Sequence, residues 1–356
     1  MNYLNQDWKW QLRNSITTAD QLAGHLALNS KQINSIAAVA SHYKMRITPY
    51  YLGLIQQPYE ESPIFKQAVP SELELKTFKM LDVDPLSERK YMPAPSLIHK
   101  YPDRVVLLAT NHCFMYCRHC TRKNTVVSAR TPPIQYLNEA VAYIKEHSNI
   151  HDVLISGGDP LFLEDEELEH ILGRLRSISH VSTIRIGTRA PVVLPMRVTE
   201  KLSRILRKYV VWINTHFNHP LEITDQSAEA CACLQDHGIP VGNQTVLLRG
   251  INDDTEIMKA LFTNLIRIRV RPYYLYQCDY TQGVSHFITP VSIGLSIIRA
   301  MRGNISGYAI PSYVVDCPGE GGKIILEPNN IIEEQRDSLI LNNYQGKPII
   351  YPLFHA

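Results

Sequence analysis

The sequence predicts an α/β fold, a partial (βα)6 TIM-like barrel, on three observations. From Val105 onward, six short runs rich in β-branched or aromatic residues alternate with helical patterns. Strict alternation implies a parallel sheet, because each strand must return to the same end through a crossover helix. About six such units close naturally into a barrel or part of one, with its functional rim at the C-terminal strand ends.

The elements follow in order. Residues 1–100 form a helical N-terminal region. TADQLAGHLALNSKQINSIAAVASHYK carries apolar residues at helical spacing, with Thr18 or Asp20 as N-cap, and ELELKTFKMLDVDPLSE repeats the pattern as far as a proline. Proline-bearing connectors, TPYYLGLIQQPYEESP and YMPAPSL, separate these stretches and put a boundary near Pro95. The barrel occupies 101–290, with strands at VVLLAT, DVLISGG, TIRIGT, VVWINTH, VGNQTVLLRG and RPYYLYQ. Its helices lie in LNEAVAYIKEH, DEELEHILGRLRSI, VTEKLSRILRKY, SAEACACLQDHG and TEIMKALFTNLIRI. VSIGLSIIRAMRGN opens a C-terminal segment, 291–356.

Composition narrows the function. The chain has 356 residues, 45% hydrophobic and 20% charged, an ordinary globular balance that argues against disorder. A net charge of +2 with interspersed signs speaks against nucleic acid and membrane surfaces as partners. The start, MNYLNQDWKWQLRN, lacks the apolar core of a signal peptide, and no apolar run reaches the roughly 18–20 residues of a membrane span, so a cytoplasmic protein is expected. Seven cysteines are a poor disulfide framework for so long a chain, and reduced thiols are expected. Four of them, Cys231, Cys233, Cys278 and Cys317, are expected to be buried, the usual fate of free cysteine.

The other three lie in CFMYCRHC, Cys113, Cys117 and Cys120, directly after the first strand and therefore on the functional rim. With His112 or His119 they offer four ligands for zinc. Alternatively they hold three irons of a 4Fe-4S cluster and leave the fourth open to bind and cleave a substrate or cofactor. The spacing alone leaves both in contention. Downstream, SGGD ends the second strand as either a turn or a close approach to a ligand. DCPGEGGK places Gly319, Gly321 and Gly322 before Lys323, which is either a surface turn or a lysine set to bond a carbonyl cofactor.

Taken with KYPDRVVLLAT, DVLISGGDPL, IRIGTRAPVVLPMRVT, RVRPYYLYQCD and SGYAIPSYVVDCPGEGGK in that order, the cysteine motif resembles the lysine 2,3-aminomutase family of radical S-adenosylmethionine (SAM) enzymes, from about Ile47 to about Pro352. The resemblance implies a barrel of the radical SAM type with a C-terminal extension bearing pyridoxal 5′-phosphate (PLP). Cys113, Cys117 and Cys120 would hold a 4Fe-4S cluster whose open iron chelates SAM and, when reduced, splits it to a 5′-deoxyadenosyl radical. Ser156, Gly157, Gly158 and Asp159 would line the methionyl part, and His119, His216 and Gln244 would make further SAM contacts. Lys323 would be the catalytic lysine that carries PLP, with Lys100, Tyr101, Arg104 and Tyr276 around the cofactor. Lys100 stands where the family more often has arginine, keeping the charge without the bidentate fork.

Arg122 matches the arginine that pairs with the substrate carboxylate, and Asp279 and Asp316 match two acids that grip a side-chain ammonium. Two acids converging on one point repel unless a cation sits between them, which selects a basic amino acid. The expected reaction is transfer of the α-amino group of L-lysine to the β-carbon. Arginine as substrate, or lysine isomerisation serving elongation factor P, are the alternatives. A zinc- or cluster-stapled binding protein is the alternative without catalysis. The implied partners are a small basic amino acid, an electron donor such as flavodoxin or ferredoxin, and a second copy of the chain.

The match has departures. Asp254 stands where some members carry a zinc-binding cysteine, and no cysteine follows Cys317, so the family's structural zinc is not expected. CTRKN is less arginine-rich than usual, and Glu320 replaces a frequent glycine before the PLP lysine.

Overall fold

The chain builds its N-terminal region from short, well-capped helices. The computed structural model describes residues 7–125, 136–317 and 321–353. Helix α1 (Trp8–Arg13) is capped by Asp7, α2 (Ala19–Ala23) by Thr18 and α3 (Ser30–Ala40) by Asn29. In α2 and α3 a glutamine three residues after the cap reaches back to the cap's N–H, closing a reciprocal pair. Helices α4 (Pro49–Leu52) and α5 (Pro63–Ala68) each begin on a proline, whose missing N–H costs nothing in the first turn.

The helix expected over ELELKTFKMLDVDPLSE does not form beyond one tight turn, Glu72–Leu75. Its apolar residues Leu73, Phe78 and Met80 stay exposed, whereas Glu74 is buried. An ion group, not an apolar face, organises this segment.

Strand β1 (Leu97–Tyr101) lies antiparallel to β2 (Arg104–Thr110) and opens the main sheet. Then come α6 (Leu137–Glu146), β3 (Asp152–Gly157), α7 (Asp165–Arg176), β4 (Thr183–Gly187), the short α8 (Ala190–Val193), α9 (Glu200–Lys208) and β5 (Val211–Thr215). After them follow α10 (Asp225–Asp236), β6 (Val241–Leu247), α11 (Thr255–Arg267), β7 (Arg271–Gln277), α12 (Val291–Met301), β8 (Ser312–Cys317) and β9 (Gly322–Ile325). All six expected strands and the expected helices between and after them form. The strands pair in sequence order; β2 to β8 run parallel and β9 turns back antiparallel on β8. The result is a barrel-like parallel sheet of seven strands, one more than the periodicity predicts, because β8 continues it beyond α12.

The helices bury one face against the sheet. In α7, Leu168, Ile171, Leu172 and Leu175 are buried at the i, i+3, i+4, i+7 spacing of a single stripe. Each such side chain contributes roughly 1.5–3 kcal/mol by leaving water. One hydrophobic cluster joins Leu22 and Tyr50 of the N-terminal region to Ile155, Leu275 and Tyr313 of the sheet.

Strands β10 (Ile331–Glu334), β11 (Ser338–Asn342) and β12 (Pro348–Pro352) form a separate antiparallel sheet. It leaves Ile331, Ile332, Ile349, Ile350 and Tyr351 exposed. Among the described residues, no helix is long and apolar enough to cross a membrane.

Candidate active site

The cysteine loop leaves β2 at Thr110 and is fixed from several directions. Arg46 donates to the carbonyl of Cys113 at 2.8 Å, and the N–H of Arg118 donates to Gln67 at 3.0 Å. The Arg118 side chain is buried, with Nε and Nη2 on the Glu74 carboxylate at 2.9 and 2.5 Å. Lys123 brings its ammonium to Glu74 at 2.7 Å and to the carbonyls of Arg118 and Gly283 at 3.0 and 3.2 Å. Three acceptors around one point suit a compact ammonium better than a flat guanidinium, a physical reason for lysine in CTRKN. Burial alone would raise the Glu74 pKa, but Arg118 and Lys123 outweigh it and hold the carboxyl below its usual range.

The end of β3 clamps the same loop. A Cβ on Gly157, whose φ is +121°, would lie 2.3 Å from the Thr110 carbonyl oxygen, and one on Gly158 would lie 2.2 Å from that of His112. The N–H groups of Gly158 and Asp159 donate to those same two carbonyls. The glycines of SGGD are therefore accounted for by the chain's own backbone. Asp159, buried, accepts from Leu161 N–H, from Thr188 Oγ1 at 2.6 Å and from Arg189 N–H at 2.8 Å, tying β3 to the end of β4.

Arg189 reaches the cysteine loop itself. Its Nη1 donates to Cys117 Sγ at 2.9 Å, Nη2 to Glu222 and Gln67 at 2.5 and 2.7 Å, and Nε to the His216 carbonyl at 3.1 Å. Burial pushes the Cys113 thiol well above its usual range and the Cys120 thiol to about 11, so these sulfurs ionise readily only when a cation binds them. His119 is buried with Nδ1 unpartnered, and burial beside Arg189 and His216 pushes its pKa far down. His216, at the end of β5, is likewise pushed down to about 4, chiefly by burial. Both imidazoles are neutral and able to accept.

At the far side of the rim, the antiparallel turn from β8 to β9 pairs Asp316 with Lys323. Lys323 Nζ lies 2.7 and 2.9 Å from the two Asp316 oxygens and 4.1 Å from the centre of the Tyr276 ring. Burial lowers its pKa, although Asp316 opposes the shift. The Lys323 N–H donates to the Tyr101 hydroxyl at 2.8 Å, and the Arg104 guanidinium stacks over the Tyr101 ring while pairing with Asp103. Lys100 donates to the Leu86 carbonyl and lies over Tyr91. Gln244 donates to the Tyr276 hydroxyl at 3.4 Å.

The two sides meet through the residues after Cys120. Thr121 donates to Asp279 at 2.7 Å. Burial raises the Asp279 pKa to about 6 even so, and Asp316 adds to the shift. Arg122 sets Nε and Nη2 on Glu88 and Nη1 on Ser156 Oγ at 3.2 Å. The structure thus brings three thiols, an arginine, two acids and a half-buried lysine to one end of the barrel.

Comparison with known proteins gives the family. The family model described as Lysine-2,3-aminomutase matches residues 298–353, and that of the Radical SAM superfamily matches 107–261. The L-lysine 2,3-aminomutase of Clostridium subterminale is 49% identical over 342 residues, covering 96% of this chain and 82% of that protein. The chain belongs to the lysine 2,3-aminomutase family. The L-lysine 2,3-aminomutase of Bacillus subtilis is 48% identical, covering 97% of this chain and 74% of its own, and the glutamate 2,3-aminomutase of Clostridioides difficile is 42% identical, covering 98% and 84%.

This family of amino-group mutases works with a 4Fe-4S cluster, SAM and PLP, and the residues present suit all three. No three donors among Cys113, Cys117, Cys120, His112 and His119 gather within 4.8 Å, as ligands of one zinc ion would, whereas a cubane takes more widely spaced thiolates. The unpartnered His119 Nδ1 is a polar atom awaiting a ligand. Lys323 is desolvated, which favours the neutral amine that attacks a carbonyl.

Some expectations need correction or extension. Cys231 and Cys278 are buried, but Cys233 and Cys317 are only half-buried, because each lies where a helix or strand meets solvent. Asp254 caps α11, accepting from the N–H groups of Glu256 and Ile257. Gly319 and Glu320 lie outside the described residues. Sequence reasoning missed Glu88, Thr121 and Arg189. The last two carry a signal, next to a cysteine of the motif or at a strand end; Glu88, the last residue of the stretch read as a helix, has none, because its partner Arg122 lies 34 residues on.

Proposed function

We propose that the chain moves the α-amino group of L-lysine to its β-carbon. One observation carries this reading: Asp316 pairs with the Lys323 ammonium, and Asp279, tied by Thr121 to the cysteine loop, lies near enough for its charge to act on both. A substrate side chain entering between these acids has to be cationic; a carboxylate there would face like charge.

Roles follow from position. Cys113, Cys117 and Cys120 hold the cluster, and Ser156 to Asp159, His119, His216 and Gln244 form the SAM side of the site. Lys323 would bear PLP, with Tyr101 and Tyr276 beside the lysine and Lys100 and Arg104 as cations to hold the phosphate. Together the cofactors supply a hydrogen-abstracting radical and a carrier for the migrating nitrogen. Arg122 presents Nη1 to the substrate carboxylate, and Glu88 holds the opposite edge of the guanidinium. The chain's own task is to fix each group and exclude water. The cluster would take its electron from an external one-electron donor such as flavodoxin or ferredoxin, in the reducing cytoplasm. The apolar residues exposed on β10 and β12 favour assembly into at least a dimer.

The test is direct. Anaerobically reconstituted protein with SAM, PLP and reductant is incubated with lysine, arginine, glutamate or alanine, and β-isomers are measured. Lysine is expected to lead alanine by at least ~100-fold, the margin of a site built for a charged group. β-Arginine as the main product would shift the substrate to the other basic amino acid; glutamate as sole substrate would refute the role given to the two aspartates.

A further inference from the structure

A second cluster of metal-ligating groups lies outside the barrel, and nothing in the proposed chemistry uses it. Helix α10 carries Cys233 and, four residues later at its C-terminal cap, His237, a spacing that puts both on one face. His237 Nδ1 donates to the Cys233 carbonyl at 2.8 Å, so in the neutral ring the lone pair is on Nε2. That Nε2 lies 3.1 Å from Glu200 Oε2 at the start of α9, and Cys233 Sγ lies 3.8 Å from Glu200 Oε1. All three donor atoms lie within 4.8 Å of one another.

We propose that Glu200, Cys233 and His237 form a zinc site that clips α9 to α10. A lone pair pointed at a carboxylate is repulsive unless a cation sits between them, and here the thiol offers that cation a third ligand. Thiolate and carboxylate together neutralise a dication, and sulfur with imidazole selects zinc over magnesium or calcium. A backbone carbonyl on the far nitrogen of the imidazole is the usual outer support of a zinc-bound histidine. The buried Ser203 hydroxyl, 3.3 Å from Cys233 Sγ, supports the thiolate in the same way. Glu200 is exposed, so water completes the coordination and the ion exchanges with solvent. The rival occupant is a proton on Nε2, giving an ordinary surface ion pair; Arg204, 3.9 Å from the same carboxylate, is the other charge nearby. The donor set is distinct from the cysteine loop and independent of the substrate reading.

The test uses cluster-loaded holoenzyme under anaerobic conditions, so that Cys113, Cys117 and Cys120 are already engaged. Alkylation of Cys233 by iodoacetamide is followed by peptide mass spectrometry with and without added zinc, with the half-buried Cys317 as internal control. Zinc retained after gel filtration is counted by elemental analysis. About one zinc per chain above the untreated level is expected. Cys233 is expected to be protected at least about tenfold, with protection lost in His237→Ala and weakened in Glu200→Gln. Magnesium is expected to protect nothing. Zinc that leaves the wild-type Cys233 rate unchanged, or protection that survives in His237→Ala, would overturn the proposal.

Discussion

Two charged groups adjoin the cysteine loop, and they are built in opposite ways. Below the loop, Glu74 holds Arg118 and Lys123; every charge has several partners, and the Glu74 carboxyl is kept below its usual pKa range. On the rim, Asp279 has one hydroxyl donor and is pushed up to about 6, while Lys323 is pushed down. Both groups are substantially buried, so burial alone does not separate them. Satisfied charges lock a scaffold in place, whereas under-satisfied ones wait for a ligand.

The sharpest way to break this comparison is to remove a waiting charge. Lys323→Ala is expected to abolish turnover and the bound-PLP absorbance together, with the fold intact by circular dichroism. Glu74→Gln tests the locked side: with Arg118 and Lys123 deprived of a buried counter-charge, stability is expected to fall by about 3–5 kcal/mol in chemical denaturation, with iron content lost in parallel. If the protein stays as stable as wild type, the locked group is not a scaffold.

Asp279 gives a graded test. In the proposed reading its carboxylate form would hold the substrate ammonium, and a pKa raised to about 6 by burial means that it takes up a proton as pH falls through that value. Accordingly kcat/KM for lysine should drop by up to about tenfold per pH unit below that point and lose this limb in Asp279→Asn. A limb unchanged in the variant would assign the titration to another group. The smallest effect is expected at Arg189, which donates to Cys117 Sγ while Glu222 and Gln67 hold it. With a cluster on Cys117, such a donor would stabilise its reduced form, so Arg189→Lys should lower the midpoint potential by on the order of 30 mV in an EPR-monitored titration.

The same contrast explains what could be read from the sequence. The barrel was legible because strand and helix periodicities are local, and β2 to β7 with α6, α7 and α9 to α12 lie where those patterns put them. The motif residues were legible because cysteines, glycines and a terminal lysine cluster in short stretches. The Glu72–Leu75 segment was not, since its one buried side chain is a glutamate whose partners lie 44 and 49 residues away. Glu88 was hidden for the same reason, its partner Arg122 lying 34 residues on. The proposed site at Glu200, Cys233 and His237 joins two helices: the i, i+4 pair on α10 is readable in the sequence, but its third member, Glu200, lies 33 residues from Cys233.

Gly157 and Gly158 set a mechanical tolerance. The backbone of the cysteine loop rests where their side chains would be, so the loop and the end of β3 cannot drift apart or together by the width of a methyl group. An alanine at either position would displace the loop by an ångström or so, and at the distances over which a radical must meet one carbon–hydrogen bond such a shift costs about 100-fold in rate. Two residues without side chains thereby act as the site's gauge blocks.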